Sequence, residues 1–126
     1  ELKHESEPLV EAQADDLKLK NVPEIAHVNE LTYAMCYEQP VVYELENLKV
    51  PTFLIIGQTD RTVVGKSRLS KEDAVKFGQY PQLGKLTRFK IRNSQLVEIE
   101  GVGHIPHIQT PDQFEKAIVD FLQPKN

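Results

Sequence analysis

The pattern of apolar and polar positions marks two strands and a set of helices. Pro51 is followed by TFLIIG (52–57), whose core FLIIG is a continuous apolar run ending in glycine. A continuous run, rather than an alternating one, predicts a strand at 52–56 covered on both faces, as in a parallel sheet. Residues 95–99 (QLVEI) predict a second strand. Between them, Ser70 with Asp73 three positions on is arranged like a capping box and predicts a helix over 70–77, which Gly78 stops. A further helix is predicted over about 80–91, ending near Asn93. The clearest helix is 111–123. Pro111 lies in its first turn, and Phe114, Ala117, Ile118, Phe121 and Leu122 follow helical spacing.

The first third of the chain is less regular. A helix over 7–18 has only a thin stripe among Leu9, Val10 and Leu17, and Pro23 ends whatever precedes it. Residues 24–38 predict a helix with Leu31, Ala34 and Met35 on one side, closed by Pro40. Residues 41–47, with Tyr43, form a short connection.

Strand, helices, strand, helix is a βαβα unit. It predicts parallel strands joined by a right-handed crossover. Two strands do not make a stable sheet alone. The run TFLII needs a partner on each edge, and the sequence offers one. The expectation is that strands are missing from this stretch of chain. Glu1, in place of Met, carries the same expectation of a piece of a longer protein.

Charge and composition narrow the function classes. The 126 residues suffice for one domain with a modest core, and the net charge is −4. Residues 1–24 carry that imbalance: Glu1, Glu5, Glu7, Glu11, Asp15, Asp16 and Glu24 against Lys3, Lys18 and Lys20. Residues 61–92 lean basic, from Arg61 to Arg92. That stretch lacks regularly spaced stacking aromatics or a recognition motif, so it reads as a solvated helical face and no nucleic acid partner is expected. No apolar run reaches membrane-spanning length and no signal segment opens the chain, so no membrane partner is expected. Cys36 is the only cysteine, which rules out an internal disulfide and predicts a small buried hydrophobe. A single cysteine leans toward the cytoplasm but fits many exported enzymes too.

Two turns carry candidate chemistry. In LIIGQTD, Gly57 allows a sharp turn at the carboxyl end of a strand, where open α/β sheets bind ligands. Asp60 there suits an acid that accepts a hydrogen bond from an imidazole, and equally a turn former. In GVGHIPH, Gly101 and Gly103 flank a turn that projects His104, as a general base requires. His107 reads as a packing residue or part of an entrance. No third and fourth ligand is spaced to join the two histidines, so neither a metal nor another cofactor is expected. GQTDRTVVGKS (57–67) imitates a phosphate loop, but seven residues separate Gly57 and Gly65 where that loop has four.

With both turns in hand, the chain resembles the C-terminal portion of an α/β-hydrolase. The residues that carry the likeness are LIIGQTDRTVVG and LVEIEGVGHIPHIQTPDQFEKAIVDFL. The resemblance covers 41–126 well. It implies an α/β fold: 48–126 as the C-terminal part of the hydrolase core, with its last two parallel strands, and 1–47 as a partial helical lid. It implies Asp60 as the acid and His104 as the base of a Ser-His-Asp mechanism on ester-like, small-molecule substrates. Residues 66–92 would be an insertion. Tyr33, Tyr43 and His107 could line a pocket, although core packing is the commoner fate for such tyrosines. The family's nucleophile lies in G-x-S-x-G on an earlier strand, and this sequence has no such motif. The expectation is therefore a hydrolase fragment, inactive alone. The missing N-terminal portion, or another copy, would pair with strand 52–56. A non-catalytic binding or oligomerisation module, or half of a split site completed by another chain, are the competing readings.

Overall fold

A computed structural model describes residues 6–123. The chain divides into two compact units, with the division between Glu44 and Leu45. The first five residues of the expected lid segment and the last three of the expected core segment lie outside the described residues.

The first unit holds α1 (Glu7–Asp16) and α2 (Val22–Glu38), then a 3-10 turn at Val41–Tyr43. Pro8 and Pro23 sit in the first turns of the two helices, where a missing N–H breaks no helical bond. Neither helix buries a residue. Leu31, Met35, Tyr33, Tyr37 and Tyr43 are all exposed, and so is Cys36. The expectation of a buried Cys36, and of core packing for these tyrosines, is corrected. The apolar residues of α2 are spread around the helix instead of gathered on one face, and none of them is buried within the unit.

The second unit carries the sheet. A 3-10 turn at Leu45–Asn47 leads to β1 (Thr52–Gly57), and the chain continues through a 3-10 turn at Lys66–Arg68, α3 (Lys71–Ala74) and α4 (Tyr80–Lys90) to β2 (Ser94–Ile99). It ends in α5 (Pro106–Gln109) and α6 (Pro111–Leu122). The strands are parallel, with Thr52 opposite Ser94 and Gly57 opposite Ile99. The α/β expectation holds at this level: helices around a two-stranded parallel sheet.

Side-chain alternation sends the two faces of the sheet to different helices. Phe53 stacks on Phe121 of α6, with ring centroids 4.8 Å apart and planes 7° from parallel. Such a pair contributes about 0.5–1.5 kcal/mol beyond its area. The other face receives α4. Gly84 is buried there because a Cβ would sit 2.7 Å from Ile56 Cγ1, so only glycine lets the helix lie this close. Ser94 fastens α4 to β2: its hydroxyl lies 2.6 Å from Ile91 O and 3.1 Å from Arg88 O. The best-buried apolar side chains are Ile91, Ile99 and Val102.

β1 is half-buried along most of its length, less covered than its composition predicts. One helix on each face and one neighbouring strand leave part of it open. The helix expected over 70–77 is also shorter. It keeps the Ser70 cap, where Asp73 N–H donates to Oγ at 3.1 Å, but ends at Ala74. Among the described residues no helix is long and apolar enough to cross a membrane.

Candidate active site

Parallel pairing carries the chain to the same end of both strands, so the turns after β1 and β2 lie side by side. Backbone hydrogen bonds stitch them together. Gln58 N–H donates to Ile99 O at 3.0 Å and Thr59 N–H to Val102 O at 2.9 Å. Gly57 makes the approach possible. A Cβ there would meet Gly103 O and stand 2.5 Å from Val102 O, both backbone atoms that cannot swing aside. Gly101 supplies the reversal after β2 with a φ of 70°, the left-handed region that glycine enters freely.

This stitching brings Asp60 and His104 into contact. His104 Nδ1 lies 2.9 Å from Asp60 Oδ2, across 44 residues of sequence. The second carboxylate oxygen, Oδ1, accepts from Thr62 N–H at 2.8 Å. The acid is buried, with its side chain 8% exposed, while the histidine side chain is 55% exposed. Burial pushes the Asp60 carboxyl up. The hydrogen bonds from His104 and Thr62 outweigh it, and the net shift is downward from the ordinary 3.8. Asp60 is therefore a carboxylate at neutral pH and can only accept. The proton between the pair belongs to His104 Nδ1. In a neutral ring that leaves Nε2 as the acceptor, the form a general base needs.

Two further residues hold the histidine turn, and the sequence pattern gave no sign of them. Gly103 N–H donates to Gln109 Oε1 at 2.7 Å, so the end of α5 braces the turn from behind. Tyr80, at the start of α4, presents its ring to His104 in an edge contact, with centroids 6.1 Å apart and planes at 62°.

The other singled-out residues lie elsewhere. His107 is exposed on α5, its ring 5.7 Å from that of Phe114. Tyr33 and Tyr43 belong to the first unit. Much of the basic stretch is committed locally. Arg61 donates to Gln58 O at 3.2 Å, Lys66 to Arg61 O at 2.7 Å, Lys76 pairs with Asp73 at 2.8 Å and Lys85 with Glu98 at 3.4 Å. GKS itself runs into a single 3-10 turn at Lys66–Arg68, not the long helix that a phosphate loop opens.

The geometry is that of a histidine oriented by a buried carboxylate at the carboxyl end of a parallel sheet. The chain is similar to a probable hydrolytic enzyme from Pseudomonas aeruginosa. The two share 40% sequence identity over 98% of this chain, with a TM-score of 0.91. This chain spans 40% of the length of that one. No protein-family model matches the chain, and no curated protein does. At this identity and TM-score the two chains share their fold over the matched region.

Proposed function

We propose that the chain is the C-terminal part of an α/β-hydrolase and supplies the acid and the base of a Ser-His-Asp site acting on ester-like substrates. The observation that carries this reading is the 2.9 Å contact between His104 Nδ1 and a buried, ionised Asp60. Similarity to the probable hydrolytic enzyme, of which the chain spans 40%, supports it. In this reading the nucleophile and the oxyanion donors come from the remainder of a longer polypeptide. Residues 1–47 contribute part of a helical lid, and Tyr33, Tyr43 and His107 are candidate pocket residues.

The chemistry is acyl transfer to water. His104 Nε2 takes the proton from the serine hydroxyl as its oxygen attacks the acyl carbon. The same proton then passes to the leaving alcohol as the C–O bond breaks. Water repeats the sequence on the acyl-enzyme and releases the acid. Asp60 holds the ring in the Nδ1–H tautomer and stabilises the imidazolium without itself becoming protonated. The chain alone lacks the nucleophile and gives at most background hydrolysis.

A fluorophosphonate probe, which labels activated serines, tests the proposal. The complete polypeptide should be labelled, its His104→Gln variant should not, and residues 1–126 alone should not. Labelling of the His104→Gln variant at the parent rate would overturn the assignment of the base.

A further inference from the structure

In the stretch between acid and histidine, residues 61–92 read in the sequence as a solvated basic face, and the resemblance makes 66–92 an insertion. In the structure it returns to the pair it separates. Just after Asp60, the backbone of Arg61 is met by Gly78, where a Cβ would stand 2.8 Å from Arg61 O and 2.8 Å from Val63 Cγ2. Gln79 then fixes the turn, donating from Nε2 to Val75 O at 2.7 Å. The next residue, Tyr80, opens α4 with its ring edge-on to His104. The segment is thus seated on the acid turn two residues before it touches the histidine.

His104 needs such a contact. Its side chain is more than half exposed, and among the described residues it makes one hydrogen bond, from Nδ1 to Asp60. One bond leaves the ring free to tilt about the Nδ1–Oδ2 line. A second constraint from a different direction fixes the plane and hence the aim of Nε2. We infer that Tyr80 is a positioning residue for His104, acting through the edge of its ring, and that the segment 61–92 exists in this chain to deliver it. The inference rests on the reading of His104 as the base. Aromatic edge contacts of this kind change an equilibrium by about 3- to 10-fold, so that is the expected size of the effect.

The phenol oxygen of Tyr80 makes no hydrogen bond among the described residues, so the ring alone carries the role. This separates two variants. Tyr80→Ala removes the ring and Tyr80→Phe keeps it. The measurement is the imidazole nitrogen spectrum of His104 in the complete polypeptide, assigned by its loss in His104→Gln, with the His107 signals as the check on folding. Tyr80→Ala should lower the Nδ1–H tautomer population of His104 and lower kcat about 3- to 10-fold with KM unchanged. Tyr80→Phe should restore both. Tyr80→Leu, which keeps apolar bulk without an aromatic edge, should behave as Tyr80→Ala does and stands in for it if alanine unfolds the turn. A His104 spectrum unmoved by Tyr80→Ala, or a Tyr80→Phe variant as impaired as Tyr80→Ala, would overturn the inference. If the His104 spectrum responds as expected while no form hydrolyses esters, the positioning role stands and the hydrolase reading falls.

Discussion

The two units of this chain handle apolar residues in opposite ways. In Leu45–Asn126 they close a sheet between α4 and α6, bury Ile91, Ile99 and Val102, and leave two turns locked at one end. In the first unit, α1 and α2 bury nothing, and Leu31, Met35 and Tyr37 face solvent. The difference lies in what fixes each geometry. The site turns are held by backbone hydrogen bonds and by a glycine that nothing else can replace, so their arrangement follows from local chemistry. The helices of the first unit offer apolar surface without a constraint of that kind, and their sequence says little about what they do.

That contrast can be broken most severely at Gly57. Replacement by alanine drives a methyl group into the backbone of Val102 and Gly103. We expect a loss of about 3 kcal/mol in urea unfolding, together with loss of the His104–Asp60 contact in the imidazole spectrum. A variant as stable as the parent would show that the two turns are not held by their close approach. Asp60→Ala is the next largest, removing both hydrogen bonds to the carboxylate at an expected cost of about 2 kcal/mol. Loss of less than about 0.5 kcal/mol would place the pair's contribution in the range of exposed surface contacts.

Acid titration sharpens the same point. The folded Asp60 carboxyl sits below its ordinary 3.8, so the unfolded chain binds the proton more readily. The stability it contributes is present above that value and is lost as pH falls through the folded value. The parent should therefore lose stability as pH drops below about 4 by more than an Asp60→Asn variant does. Parallel curves for the two would remove Asp60 from the account of acid stability. The smallest effect belongs to the first unit, where Leu31→Ala should change stability by less than about 0.5 kcal/mol, since the side chain is exposed. A loss above about 2 kcal/mol would mean that α2 is packed as a core helix after all.

The same contrast explains what could be read from the sequence. Pro51 and Gly57 bracket β1, and Pro111 with its apolar spacing brackets α6, so both elements fall within a residue or so of expectation. Glycine turns after two parallel strands also forecast where Asp60 and His104 would project. Tyr80 and Gln109 were invisible because each acts through a contact set by tertiary folding, not by local pattern. The half-covered β1 and the short α3 escaped for a related reason: apolar runs and caps report what an element wants, not how much neighbouring surface is there to meet it.

The central claim is that Asp60 and His104 are the acid and base of an acyl-transfer site. Its most direct test is ester hydrolysis by the complete polypeptide and its Asp60→Asn variant, which keeps the size of the side chain and reverses what it can offer the imidazole. The account predicts a fall in kcat of about 10⁴-fold, because the wrong tautomer leaves Nε2 carrying the proton. An Asp60→Asn variant that hydrolyses esters as fast as the parent would contradict it.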